Sequence, residues 1–428
     1  MKKLILSLLV VAFAGTSASA QYYHLAAASG NPNNINQEDS EYPVGSGLPT
    51  DWTSIMAAQQ TAGSYSSSQN IPFTFLFNGD TVTTYRASNT GIVTFSQLSS
   101  PANNSAGTAV SLSSSTVPDS SVCILGINGS GSNDQVARKT FGTSPNRQEW
   151  ILFASYSATG TTGSHWTYWS VVLEETTNNI YIVDQRTAGW TGTVNVGVRV
   201  DSATTDEISA LSSGSTNAPD RTDNTHQTFI QGTQPDYEMA GVAVNMNPFV
   251  ALSSAPFNVS ADFVNNGAAS ITGADINYSV NGGTATTSTL TGLSIASGAS
   301  ATVTSSTTWT PSATGTYDVK VWLSNLNGSN SDANTSNDTA MITVQVVAAL
   351  TTRYPLFETF TSSTCPPCTP ANVQMESVFD VNPGEYSSLK YQMSWPGTGD
   401  PYYTTEGGAR RTFYAINSVP RVEIDGGW

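Results

Sequence analysis

Cys365 and Cys368, set three positions apart in the run YPLFETFTSSTCPPCTP over residues 354–370, are the side chains whose type and spacing imply a reaction. Leu356, Phe357 and Phe360 make an apolar run of strand length, a polar Thr-Ser-Ser-Thr turn follows, and a helical pattern opens at the cysteines. The expected order is strand, loop and helix N-terminus. Thiols at i and i+3 on a first helical turn can close a small disulfide, and the free N–H groups with the positive dipole end there favour the thiolate. Cys365 is therefore the expected nucleophile and Cys368 the resolving thiol, buried one turn in. Pro366 falls at the expected first helical position, where its missing N–H costs nothing, and Pro367 stiffens the intervening pair. Glu358, on the incoming strand, is a candidate proton acceptor for Cys368: burial would raise its pKa and let it relay a proton near neutral pH. Pointing to solvent is the alternative for this side chain.

Other chemistry for the pair can be weighed on composition. Half a zinc site would also read C-x-x-C, but no second pair exists, and His24, His165 and His226 all lie far from it in sequence. No metal and no cofactor is expected. An inert clip remains open, since closing so short a loop contributes at most about 2–3 kcal/mol in the chain-entropy model.

Further along, Ser418-Val419-Pro420 precedes a second apolar run, Val422-Glu423-Ile424. C-P-P-C after a strand, together with this Val-Pro step, resembles the thioredoxin-like superfamily, which implies a cis Pro420 facing the disulfide. More narrowly, FETFTSSTCPPC and DPYYTTEGGARRTFYAINSVPRVEIDGG resemble the outer-membrane-protein-28-related family of secreted thioredoxin-like proteins. The resemblance covers only residues 350–428, and Thr364 stands where thioredoxins carry an aromatic residue before the first cysteine. It implies an α/β thioredoxin-like domain over 349–428, C-terminally incomplete, because a partner strand and a last helix would still have to follow Ile424. The implied catalytic set is Cys365, Cys368 and Pro420, joined by Glu358, and the implied partners are protein thiols or disulfides.

What precedes this segment reads as delivery and display. Residues 1–20 carry Lys2 and Lys3, an apolar run and Ala18-Ser19-Ala20, the anatomy of a secretory signal peptide. That apolar run is shorter than the roughly 20 residues a bilayer span needs, so no transmembrane span is expected in the mature chain. A chain of 428 residues has room for several cores. Only 11% of residues are charged and the net charge is -16, so no basic stripe exists to neutralise phosphates and nucleic acid is not an expected partner.

Residues 21–235 alternate strand signals with Gly, Asn and Ser clusters, as in 71–77 before Asn78-Gly79-Asp80, and predict hairpins with one buried face. Their order resembles jelly-roll modules of secreted bacterial proteins. Trp150, Trp166, Trp169 and Trp190 are expected to fill the space between sheets; the alternative is a platform for a glycan or other cell-surface ligand. Cys123, inside Val122-Cys123-Ile124-Leu125, reads as a small buried hydrophobe.

Residues 236–348 show short strands with Asn265-Asn266-Gly267 and Asn281-Gly282-Gly283 turns, an immunoglobulin-like sandwich pattern that resembles cell-adhesion-related bacterial domains. Asn and Asp across 331–338 could suggest calcium, but Asx turns explain them without an ion. The expected architecture is thus multidomain: two all-β sandwiches, jelly-roll-like then immunoglobulin-like, followed by the incomplete thioredoxin-like domain. The expected location is secreted or outer-membrane-associated. Two functions stand open: thiol-disulfide exchange, or non-enzymatic surface adhesion and binding with an inert disulfide.

Overall fold

The computed structural model describes residues 21–38, 51–129, 131–158, 165–216, 221–351 and 353–427, so the expected signal segment 1–20 lies outside the described residues. The chain is mostly β and multidomain. It divides into two compact units, one of Met1–Pro248, Pro256–Thr310 and Thr316–Val344, the other of Phe249–Ala255, Pro311–Gly315 and Gln345–Trp428. None of the described helices is long and apolar enough to cross a membrane.

The first unit begins with a two-layered β region. In one layer Gln135–Phe141, Gln148–Ala158, Trp166–Glu174 and Ile180–Ala188 pair antiparallel in chain order, and Thr225–Gln231 and Tyr22–His24 extend the layer beyond Ile180–Ala188. The other layer pairs Thr205–Ser212, Thr193–Arg199, Ser121–Leu125, Ile92–Thr94, Asp80–Ser88 and Gln69–Phe77. Phe75, Ile124, Val196, Phe153, Trp169 and Phe229, drawn from both layers, form one buried core.

The expectation of a single buried face fails for the central strands. Trp150, Leu152, Tyr168 and Val183 on the reverse face of the first layer pack under Trp52 and Phe141. Cys123 and Leu125 on the reverse of the second pack under Leu112 and Val117. Strands covered on both sides carry continuous apolar runs, as Ser121–Leu125 does, because neither face meets water. Trp150 and Trp169 are fully buried, and their indole N–H groups donate to Gln148 Oε1 and Thr167 Oγ1 at 3.1 and 2.8 Å. These indoles are core, with their polar edges satisfied internally.

The second sandwich has one sheet of Met239–Val244, Ser260–Asn265 and Ser300–Thr304. Its other sheet orders Phe249–Ala251, Ala340–Val347, Gly315–Ser324, Ile271–Val280 and Thr286–Ile295. Here burial alternates along the strands, as in Ser260–Asn265, where Ala261, Phe263 and Asn265 are the buried positions. One face is core and the other is wet.

In the second unit Leu356–Thr361 is the central strand of three, parallel to Ser387–Gln392 on one side and antiparallel to Arg421–Ile424 on the other. Helix α1, Cys368–Val381, makes the crossover that a parallel pair requires. Helix α2, Thr405–Phe413, follows; the Thr404 hydroxyl accepts from Gly407 N at 3.1 Å, Glu406 lies in its first turn, and Arg410 and Arg411 lie in its last. Cap and charges all match the helix dipole. Phe360, Met393 and Ile416 form the buried centre, flanked by Tyr391, Trp395, Tyr414 and Val419.

Candidate functional site

Cys365 stands in the loop after the central strand, and a disulfide joins it to Cys368 with their Cα atoms 5.3 Å apart. The helix begins later than the sequence predicts. Its first residue is Cys368 and its N-cap position is Pro367, so Pro366 is not the first helical residue and Cys365 precedes the helix by a full turn. The physical reason is the Pro-Pro step: the residue before a proline is pushed away from helical ψ, which acts on both Cys365 and Pro366. Cys368 N instead donates to Cys365 O at 3.0 Å, closing a turn.

The sulfur of Cys365 lies 3.6 Å from the carbonyl oxygen of Val419. The Val419–Pro420 peptide is cis, and Pro420 leads directly into the Arg421–Ile424 strand. Cys365, Cys368 and Pro420 are therefore brought to one end of the three-stranded sheet. Both cysteines are buried, at 3% and 1% exposure, while Ser363, Pro366 and Pro367 around them are exposed. The pair lies directly beneath the surface rather than deep in a core.

A second loop pins the cysteine loop. Asp400 Oδ2 accepts from Ser363 N at 2.7 Å, the Thr364 hydroxyl donates to Pro396 O at 2.5 Å, and Met393 N donates to Thr361 O at 2.8 Å. Thr364 thus ties the loop to Pro396.

Glu358 is not placed for a relay. It is fully buried, but its two oxygens are taken by Arg410, from Nε and Nη2 at 2.6 Å each, by the Tyr391 hydroxyl at 3.0 Å and by the Tyr414 hydroxyl at 2.6 Å. The Arg410 guanidinium, helped by the two hydroxyls, holds its carboxyl down at about 2 despite burial. At neutral pH it carries no proton, and the raised pKa expected from burial alone is overturned by charge pairing. Arg411, the neighbour of Arg410, is also engaged: it lies over the Trp395 ring at 4.0 Å and its Nε donates to Ile416 O.

Sequence reasoning missed Arg410, Tyr391 and Tyr414 as partners of Glu358 and Asp400 as the anchor of Ser363. A glutamate in an apolar strand was a signal that some cation must meet it. Cys123 is buried, with burial pushing its thiol up to about 12, which leaves it unreactive. Among the described residues no three His, Cys, Asp or Glu side chains gather as a metal centre.

Comparison with known proteins bears on the β regions. A family model described as NIDO related matches residues 46–240, most of the first two-layered region. No curated protein matches the chain. Among solved structures, a CARDB domain from Pyrococcus furiosus, crystallised in complex with di-metal ions, is 16% identical, covers 27% of this chain and 94% of its own, with a TM-score of 0.21. A domain of a candidate cell surface protein from Methanosarcina acetivorans is 24% identical, covers 26% of this chain and 94% of its own, with a TM-score of 0.22.

Proposed function

We propose that this is a secreted or surface-associated protein whose C-terminal segment, a thioredoxin-like module similar to the outer-membrane-protein-28-related family, exchanges thiols and disulfides through Cys365 and Cys368. The observation that carries the reading is the 3.6 Å approach of the Cys365 sulfur to the Val419 carbonyl, beside a loop held in place by Asp400 and Pro396. A partner thiolate attacks the Cys365 sulfur and forms a mixed disulfide, while Cys368 leaves as a thiolate and takes up a proton. A second partner thiol then displaces Cys365. The partner ends as a disulfide, and the protein ends as a dithiol carrying the two electrons. Run backwards, the same steps reduce a partner disulfide. In this reading the jelly-roll-like and immunoglobulin-like sandwiches display the module outside the cell.

Burial of both sulfurs favours a second reading, in which the disulfide is an inert clip and the chain works by binding alone. Insulin reduction driven by dithiothreitol separates the two. The mature full-length chain is expected to accelerate precipitation of insulin chains, and Cys365→Ser to lose the acceleration. Equal rates for the two proteins would leave only the binding reading.

A further inference from the structure

Every Lys and Arg of the second unit but one meets a carboxylate. Arg353 pairs with Asp425, Lys390 with Glu376, Arg410 with Glu358 and Arg421 with Glu423. Arg411 does not: among the described residues no Asp or Glu lies within ion-pair distance of it. Its Nε donates to Ile416 O at 3.0 Å and its guanidinium lies over the Trp395 ring at 4.0 Å, contacts that fix the group without neutralising it. The residue is half-buried, and its two Nη groups find no acceptor among the described residues.

The register of the sheet puts this charge at the end that carries the disulfide. Thr361 pairs with Gln392 and Phe360 with Arg421, so the segments that follow Thr361, follow Gln392 and precede Arg421 all leave the sheet at one end. Cys365 lies in the first of these segments, Trp395 in the second, and Ile416 and Val419 in the third. The second touches the first where the Thr364 hydroxyl donates to Pro396 O, and the third touches it where the Val419 carbonyl meets the Cys365 sulfur at 3.6 Å. Arg411 grips both of them, one through Trp395 and the other through Ile416. Asp400, the carboxylate anchored to the cysteine loop, is turned to other donors: its oxygens accept from Ser363 N and Tyr402 N at 2.7 and 2.9 Å.

We propose, resting on the exchange read above for Cys365 and Cys368, that Arg411 sets partner specificity by selecting thiols and disulfides that carry a carboxylate close to the reacting sulfur. A guanidinium is planar and presents its N–H groups as a fork that matches a carboxylate, and the indole beneath it keeps that fork from swinging away. The chain as a whole carries a net charge of -16 and repels acidic partners at long range, so an unmatched cation at the disulfide's end is a local reversal of sign. A partner thiolate attacks the Cys365 sulfur, the Cys365–Cys368 bond breaks with Cys368 leaving as a thiolate, and a second partner thiol releases the dithiol and a partner disulfide. Arg411 holds the partner's carboxylate through both steps and exchanges no proton.

Small thiols of different charge test this on the full chain. Thioglycolate carries a carboxylate, mercaptoethanol is neutral and cysteamine carries an ammonium group. The rate at which each reduces the Cys365–Cys368 disulfide, taken relative to its rate on an unstructured C-P-P-C peptide, is expected to be highest for thioglycolate and lowest for cysteamine. The preference should shrink as ionic strength rises from about 0.02 to 0.5 M, because screening removes it. Arg411→Gln is expected to slow thioglycolate about three- to fivefold, the upper range for a partly exposed ion pair, and to leave mercaptoethanol within about twofold. Arg411→Lys, which keeps the charge, should stay closer to the native chain than Arg411→Gln, and circular dichroism checks that both stay folded. Equal slowing of all three thiols by Arg411→Gln would mean that Arg411 only shapes the loop, and a native chain without preference at low salt would mean that it recognises no carboxylate; either result overturns the specificity role and leaves the exchange reading standing. If none of the thiols reduces the pair in the folded chain, the exchange reading fails as well.

Discussion

Glu358 and Glu238 are both buried glutamates, yet their surroundings push their carboxyl groups in opposite directions. Glu358 meets a guanidinium and two phenols and is held down at about 2. Burial raises Glu238, and the Asp332 carboxylate adds to the rise. Depth from water is similar in the two places. The partner decides the sign, because burial penalises a charge only until another charge or a set of donors replaces the lost water. A buried acid with a cation is held ionised; a buried acid beside another acid is pushed toward its protonated form.

Removing the cation should turn the first place into the second, and this is the largest effect expected. Arg410→Met leaves the Glu358 carboxylate buried with only Tyr391 and Tyr414 as donors, and breaking such a pair costs about 3–5 kcal/mol. Arg410 is partly exposed, with 35% of its side chain reaching solvent, so the lower end is expected. Urea unfolding of the full chain, followed by hydrogen exchange of the 356–361 strand, reads the loss. A stability within about 0.5 kcal/mol of the native protein, the range of an ordinary surface change, would show that the pair is ornamental.

Acid should separate the two places next. Between about 2 and 4.5 the unfolded chain carries a proton on Glu358 that the folded chain does not, so folded stability from this group is present above 4.5 and lost as pH falls toward 2. Asp338, pushed up to about 7, works the other way: between 3.8 and 7 the folded state holds the extra proton, so stability falls as pH rises through that window. Asp332, Glu238 and Asn337 face it, and Lys320 lines a groove with it. Hydrogen-exchange protection at pH 3, 5 and 8 should be lowest at pH 3 for the 356–361 strand and lowest at pH 8 for residues 332–340. Parallel trends in both segments would end the contrast.

How much of this was legible in the sequence differs between the same two places. The C-P-P-C loop could be read because local spacing carries it, whereas its Val-Pro neighbour, 54 positions on, was implied only by the family resemblance. Gln69–Phe77 could be read as well, its alternation ending on an Asn-Gly turn. Thr286–Ile295 went unread: half of its positions are exposed threonine, serine or glycine, so one face shows no apolar period. The fate of Glu358 was hidden for another reason. Its burial follows from the strand, but Arg410 is 52 positions away and reaches it only once α2 docks. In the second sandwich the Asx turn at Asp332 was legible, whereas the meeting of Glu238 with Asn337 spans 99 positions and depends on strand pairing. Sequence spacing reveals what one element presents; it does not reveal which charge a distant element brings.

The smallest expected effect is also the most diagnostic, because its sign is unusual for a buried site. Asp338→Asn keeps the shape of the side chain and removes one of the crowded negative charges. At pH 8 it should raise stability by about 0.5 kcal/mol, a modest gain because Asp338 is only half-buried and its repulsions are screened. The matching change Glu358→Gln should lower stability at the same pH, having lost the charge that Arg410 requires. A variant at 338 that is less stable than the native chain would mean that the carboxylate already has a stabilising partner, and the contrast between the two glutamates would collapse.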